Sequence, residues 1–389
     1  MSAPLPFAQR YRTIVAAIAT VASCDIAMGL TLQILPLLME KDHVPAWIMG
    51  LNAAMSPLGI MIFGPFLPRI VSRFGSKRVV YISILVTMAT LAAFKLFPSV
   101  WMWFAIRFVF GMAAGTLFTV SEAWIMSGAD QNNRGRTMGL YTSVLAVSFS
   151  IGPLIIPFTG IDSWAPWLIG ILCVGMSAVP LTFLRVSEDS FRHEEGGGFW
   201  AFVGRAPLLL FAVGTLTFFD AVILSFFPIF GLRSGLPVEQ VTTILGVSII
   251  GNALLQLPIG LLADRWSRLG VIVLSAVISA VLAVTMIWTI QSWLIWPVML
   301  ILGTTAYAIY TIALTILGDN FKGPDLIAGS AAFAAMWGIG GILGPPIAGA
   351  ATDAFGIIAI PITVTAIYVI LLIGLGLSRG RMVQGAAHG

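Results

Sequence analysis

The amino-acid sequence predicts an all-α membrane protein with twelve transmembrane helices, arranged as two six-helix bundles related by a pseudo-twofold repeat. Hydrophobic residues make up 59% of the 389 positions and charged residues only 9%, far from the composition of water-soluble domains. Apolar runs of 18 or more residues recur along the chain, and each can cross a hydrocarbon layer of roughly 30 Å. Sequence features also repeat at one fixed offset, which indicates an internal duplication.

The repeat is clearest in the short charged turns that separate apolar runs. The segment 260–268 (GLLADRWSR) has an earlier copy at 72–78 (SRFGSKR), in which Ser72 and Arg73 stand 192 residues before Asp264 and Arg265. The Gly-Pro pair at 344–345 stands at the same distance after the Gly-Pro pair at 152–153. Turns this short leave room only for a tight hairpin between two membrane-spanning helices.

The predicted elements follow in order. Residues 1–185 form the N-terminal six-helix bundle, residues 186–206 a polar cytoplasmic linker, and residues 207–389 the C-terminal bundle with a short cytoplasmic tail. The predicted spans are 13–38, 47–70, 79–97, 100–127, 137–158, 164–185, 207–231, 238–263, 270–290, 292–318, 326–351 and 356–378.

The distribution of basic residues predicts the orientation of the spans. Sixteen Lys and Arg residues fall in turns on one side and three on the other, with one inside a span. Because cytoplasmic loops carry the excess of positive charge, both termini are expected in the cytoplasm, as in a bacterial-type inner membrane. Tryptophans near the predicted outer ends are expected to be interfacial: Trp47, Trp101, Trp103, Trp164, Trp167, Trp293 and Trp296.

Three charged residues lie at least seven residues inside the ends of predicted spans. Asp25 lies midway along the first span, Asp220 midway along the seventh, and Arg107 about seven residues inside the fourth. A charged side chain at that depth is costly unless it faces water or a partner, so each is a candidate for proton coupling. Counted inward, Asp25 and Arg107 reach a similar depth, which makes an ion pair between them plausible.

The motif Gly-x-Leu-Ala-Asp-Arg at 260–265 resembles the signature loop of the major facilitator superfamily, and the cytoplasmic charges resemble its YcaD-like and drug:proton antiporter-like branches. In that family the loop latches the cytoplasmic side in one state of the transport cycle, and an arginine with glycine four residues on, as in Arg107 and Gly111, controls a titrating acid. The resemblance implies alternating access and a cytoplasmic gate formed by Ser72, Arg73, Glu122, Arg134, Arg136, Gly260, Asp264, Arg265 and Asp319.

Small residues and prolines mark two spans. The run Ser148–Pro153 resembles the fifth-helix motif of proton antiporters, and 340–349 is a richer copy. Antiport and tight helix packing alone are both open explanations. The predicted helix-packing residues are Gly152, Pro153, Gly340, Gly344 and Pro345.

The spans contain many aromatic side chains and few amides, which suits a small amphipathic organic solute. Proton-coupled export is the first hypothesis; a proton-coupled importer of an aromatic nutrient or a vitamin such as riboflavin is the second, and a lipid scramblase or receptor the third. The partners expected are substrate, protons and lipid, with no nucleic acid, cofactor, metal or enzymatic activity, and a monomeric state. Predicted cavity residues are Asp25, Asp220, Gln33, Asn52, Asn252 and Gln256.

Overall fold

The computed structural model describes residues 7–128, 134–182, 199–322, 324–378 and Met382. Every regular element in these ranges is a helix, with one 3-10 turn at Gly64–Phe66 between α2 and α3. The helices are α1 Phe7–Lys41, α2 Ala46–Phe63, α3 Leu67–Phe74, α4 Ser76–Leu96, α5 Val100–Gly128, α6 Arg134–Thr159, α7 Ala165–Met176, α8 Ala178–Thr182, α9 Phe199–Arg205, α10 Pro207–Arg233, α11 Val238–Arg265, α12 Arg268–Thr289, α13 Ile295–Asn320, α14 Pro324–Phe355 and α15 Ala359–Leu377.

Ten helical segments of the described chain are long and apolar enough to cross a membrane. Two shorter apolar segments, 143–159 in α6 and 238–251 in α11, stand at predicted spans without reaching that length within the described residues. The chain is an integral, multi-pass membrane protein. The count of twelve spans stays a prediction.

The chain divides into two compact units. Unit 1 contains Met1–Leu38 and Met55–His193, and unit 2 contains Met39–Ala54 and Glu194–Gly389. The end of α1 and the first half of α2 therefore pack with unit 2. The predicted linker, 186–206, falls mostly outside the described residues, so the predicted bundle boundaries stay a prediction.

Aromatic side chains form the core of unit 1. The ring of Phe94 in α4 lies 6.3 Å from that of Phe110 in α5 and 5.8 Å from that of Trp167 in α7. Trp167 is fully buried, and Trp103 is 3% exposed, with its indole N–H donating to the carbonyl oxygen of Phe94 at 3.1 Å. These two tryptophans are core residues, so the expectation that they are interfacial was wrong. Trp101, 70% exposed, agrees with that expectation.

Unit 2 is built around α10, which is buried along most of its length. Its contact with α14 depends on small residues. A methyl group at Gly340 would lie 2.1 Å from Thr217 Oγ1, and one at Gly344 would lie 3.0 Å from the carbonyl oxygen of Phe218. Thr217 Oγ1 also donates to the carbonyl oxygen of Met336 at 2.9 Å. The two helices therefore touch backbone to backbone one turn before Asp220.

Candidate functional site

Asp220 lies at the edge of a buried polar cluster in unit 2. The hydroxyl of Tyr307 in α13 donates to Asp220 Oδ1. Tyr368 of α15 is fully buried and close enough to interact with both Asp220 and Ser279 of α12. Ser279 Oγ in turn lies 2.8 Å from Thr305 Oγ1. Three helices, α12, α13 and α15, thus bring hydroxyl groups towards one carboxylate of α10.

No basic side chain is available to Asp220 at its own depth from the helices that surround it. The sequences of α13, α14 and α15 contain no Lys, Arg or His, and the only basic residues of α10 and α12 are Arg233 and Arg268, each at a helix end. Asp220 and Tyr307 are both half-buried. A charged group in lipid is costly, so an acid at mid-span is a candidate functional residue. The helices around Asp220 therefore supply no basic partner at its depth.

Asp25 belongs to a second cluster, in unit 1. It is 5% exposed and close enough to Glu122 of α5 for the two charges to interact. The hydroxyl of Tyr141 in α6 donates to Glu122 Oε1 at 3.0 Å, and Tyr141 is also within electrostatic reach of Asp25. Glu122 itself is exposed. Each unit thus holds a mid-span acid with a tyrosine close by.

Asp25 stands one turn before a close contact of α1 with α6. A methyl group at Gly29 would lie 2.2 Å from the carbonyl oxygen of Phe149, and one at Gly152 would lie 2.3 Å from the backbone nitrogen of Leu30. Neither helix can carry a side chain there. The contact of α10 with α14 is likewise one turn from an acid, but it precedes Asp220 in the chain, whereas this one follows Asp25.

Arg107 is buried, 2% exposed, where α5 packs on α2. Ser56 Oγ donates to its backbone carbonyl oxygen at 3.2 Å, and a methyl group at Gly111 would lie 2.1 Å from the carbonyl oxygen of Ser56. The spacing of arginine and glycine thus lets α2 reach the backbone of α5. The proposed pair of Arg107 with Asp25 stays a prediction.

Besides Glu122, three of the predicted gate residues, Ser72, Arg73 and Asp319, have contacts within the described part of the chain. Ser72 Oγ donates to the carbonyl oxygen of Arg69 at 2.9 Å, and the Arg73 guanidinium lies 5.6 Å from the ring centre of Phe74. Asp319 forms an ion pair with Arg268, which belongs to the charged stretch 260–268. The side chains of Arg134, Arg136, Asp264 and Arg265 lie outside the described residues, as does any contact at Gly260. The cytoplasmic latch stays a prediction.

Three further charged residues, Glu40, Arg233 and Asp353, lie near helix ends in unit 2. Glu40 and Arg233 form an ion pair with two contacts, Nε to Oε1 at 2.6 Å and NH2 to Oε2 at 2.8 Å. Asp353, near the end of α14, accepts the backbone N–H of Ala46 at 3.0 Å and that of Trp47 at 2.8 Å. It therefore caps the N-terminus of α2, where a negative charge is favourable.

Of the four predicted cavity amides, Gln33 and Asn52 are fully buried. The side chains of Asn252 and Gln256 lie outside the described residues. Sequence reasoning missed Tyr141, Tyr307 and Asp353, and it included Arg268 in the charged stretch 260–268 without naming it as a gate residue. A usable signal did exist: the chain has only six tyrosines, and three of them, Tyr307, Tyr310 and Tyr368, fall in two spans of one half. The described residues contain no group of three His, Cys, Asp or Glu that could hold a metal ion.

Many apolar spans, charged side chains inside them and charged groups at their ends define the class of polytopic membrane transport proteins. The chain belongs to the Major Facilitator Superfamily, whose family model matches residues 17–253 and 209–381. Among curated relatives, the MFS-type transporter YfkF of Bacillus subtilis (strain 168) is 24% identical over 341 residues, covering 85% of this chain and 86% of YfkF. The MFS-type transporter YcaD of Shigella flexneri serotype 5b (strain 8401) is 24% identical over 369 residues, 93% of this chain and 95% of YcaD.

Solved structures share the fold at low sequence identity. The nucleoside transporter NupG has a TM-score of 0.76 at 13% identity, covering 95% of this chain and 98% of NupG. A bacterial homologue of the human lysosomal transporter Spinster, in an inward-facing and unoccupied conformation, has a TM-score of 0.77 at 12% identity, covering 98% and 99%. These structural similarities show that the chain shares the fold of these transporters.

Proposed function

We propose that this protein is a secondary active transporter that exports a small amphipathic organic solute by alternating access, in exchange for protons. The observation that carries the proposal is the pair of mid-span acids, Asp25 and Asp220, one in each unit, each within one turn of a glycine-dependent helix contact. An acid at this depth can serve as a carrier for a proton, because it is stable in the membrane when neutral and can bind a cation when charged.

The charge arrangement supports coupling by competition. Asp220 has no basic partner at its depth in the helices around it, so its negative charge is balanced either by a proton or by a positively charged ligand. Asp25 lies beside a second acid, Glu122, and two like charges in one place favour uptake of one cation. A proton and a substrate that compete for one carboxylate are exchanged across the membrane, which is antiport.

Proteoliposomes test this proposal. The full chain is reconstituted with a pH-sensitive dye inside, a pH gradient is imposed, and solutes chosen by a thermal-shift screen are added, since a ligand stabilises the folded protein by mass action. We expect solute addition to move protons in the opposite direction. Asp25→Asn should abolish this proton movement, while Asp42→Asn, an exposed acid in the turn after α1, serves as the matched control. Proton-coupled flux at the parent rate in Asp25→Asn contradicts the proposal.

The same assay distinguishes export from import. A symporter of an aromatic nutrient, such as a vitamin, uses the same fold but moves solute and proton in the same direction. Co-directional movement would therefore replace export with import. Solute movement without any proton movement would overturn coupling itself.

A further inference from the structure

Three aromatic side chains bridge α13 and α14 inside unit 2. The ring of Tyr310 lies 6.1 Å from that of Phe333 and 5.8 Å from that of Trp337, nearly perpendicular to it at 81°. Phe333 is buried, at 2% exposed, and packs against Tyr310. Tyr310 and Trp337 are half-buried. Two of the three side chains thus remain partly accessible, and aromatic rings of this kind can contact a planar or positively charged ligand.

These rings lie close to Asp220. Tyr307, which donates to Asp220, stands three residues before Tyr310 and therefore on the same face of α13, one turn away. On α10, the hydroxyl of Thr217 donates to the backbone carbonyl oxygen of Met336 at 2.9 Å, and Met336 is the residue before Trp337. Because Thr217 is itself one turn before Asp220, the acid and both accessible rings lie within about one helical turn, roughly 5 Å, in depth.

The chemistry of this group selects one class of ligand. A carboxylate accepts contacts at both oxygens, so Oδ2 can meet a ligand while Tyr307 holds Oδ1. The absence of Lys, Arg and His from the sequences of α13, α14 and α15 disfavours phosphate esters and other anions. Accessible aromatic faces attract cations through the ring quadrupole and also stack on apolar rings. An organic cation that carries an aromatic ring satisfies both parts of the site.

We propose that Asp220, Tyr307, Tyr310 and Trp337 form the binding site for an aromatic organic cation. The inference rests on the proposed transport function and names its substrate class. Asp220 neutralises the positive charge, Tyr307 orients the carboxylate, and Tyr310 and Trp337 contact the ring of the ligand.

The test is equilibrium binding to the full chain in lipid nanodiscs. The probe is radiolabelled 1-methyl-4-phenylpyridinium, whose charge does not depend on pH, and the competitor is the neutral isostere 4-methylbiphenyl. We expect saturable binding that the neutral compound does not displace. Asp220→Asn should weaken it at least thirtyfold, on the order expected when one partner of a buried charge pair is lost. Trp337→Leu should weaken it about tenfold, while Trp337→Phe keeps it within about threefold.

Trp288→Leu is the matched control, because Trp288 is 73% exposed and belongs to α12, outside the group. It should leave binding unchanged. The midpoint of thermal unfolding of each variant shows whether the fold is intact, so that weaker binding by Trp337→Leu at an unchanged midpoint reports on the ligand contact. Failure of the cation to bind the parent protein, equal binding by Trp337→Leu, or displacement by the neutral isostere each overturns the site.

The two proposals fail separately. If a different solute drives proton movement in liposomes but the cation does not bind, the site is wrong and the transport function stands. If the cation binds as expected but no solute drives proton movement, the site stands and the coupling is wrong.

Discussion

Arg233 at the end of α10 pairs with Glu40 at the end of α1 through two parallel contacts, 2.6 Å from Nε to Oε1 and 2.8 Å from NH2 to Oε2. Glu40 is 16% exposed and Arg233 35% exposed, so water reaches the pair. Near it, Asp353 caps the N-terminus of α2. In the transport cycle proposed above, we expect this pair to form and break.

Breaking this pair is expected to open that end of unit 2. Arg233→Gln should speed maleimide labelling of a cysteine placed at Ala53, which is 4% exposed, by about two- to fivefold, because a partly exposed ion pair is worth roughly 0.2–1 kcal/mol. The background carries Cys24→Ser and Cys173→Ser, which removes both native thiols. The double variant Glu40→Arg with Arg233→Glu should return the rate towards the parent value. An unchanged labelling rate in Arg233→Gln would contradict a role of this ion pair in limiting access to position 53.

The glycine contact between α10 and α14 yields a prediction about stability. Gly340→Val places a branched side chain against Thr217 and the backbone of Phe218, so the helices must separate. We expect a loss of about 1–3 kcal/mol, seen as a lower midpoint of thermal unfolding in detergent. Gly376→Val in α15, where a methyl group meets no atom within 4 Å, is the control and should change little. Equal midpoints for the two variants would argue against close packing at Gly340.

The charged stretch 260–268 yields a prediction about conformational state. Asp264→Ala should shift the populations of inward- and outward-open states without changing which compounds bind, and Asp319→Asn, which removes the partner of Arg268, should shift them the same way. Double electron–electron resonance between spin labels attached at Arg78→Cys and Lys322→Cys, both exposed positions, measures these populations. Identical distance distributions in parent and variants would count against a latch.

The sequence predicted the helical membrane fold, the family and the mid-span acids, because these features leave direct marks in composition and in charged residues within apolar runs. It did not predict the partners of the acids. Tyr307 and Tyr141 lie in aromatic-rich spans where periodicity does not separate a ligand-facing hydroxyl from core packing. Trp103 and Trp167 were misplaced, since their position near span ends is the same whether they face the membrane interface or the protein core.

The contacts at Glu40 and Asp353 were missed for a different reason. Their partners stand 193 and about 306 residues away in the chain, and no local motif marks such a pairing. An acid in a turn between spans is most simply a solvated residue. Only the three-dimensional arrangement shows that Asp353 caps a helix from the other half of the sequence.

The pH dependence of substrate binding tests proton-coupled export most directly. If a positively charged substrate binds the ionised form of Asp25 or Asp220, a proton must leave as the substrate binds, so affinity should rise with pH. Binding of 1-methyl-4-phenylpyridinium to the full chain is measured from about pH 5.5 to 8.5, together with proton release in weak buffer. We expect affinity to increase with pH, protons to be released, and the variant Asp25→Asn or Asp220→Asn at the responsible acid to flatten the curve. Tighter binding in acid with uptake of protons would contradict antiport and assign the protein to import.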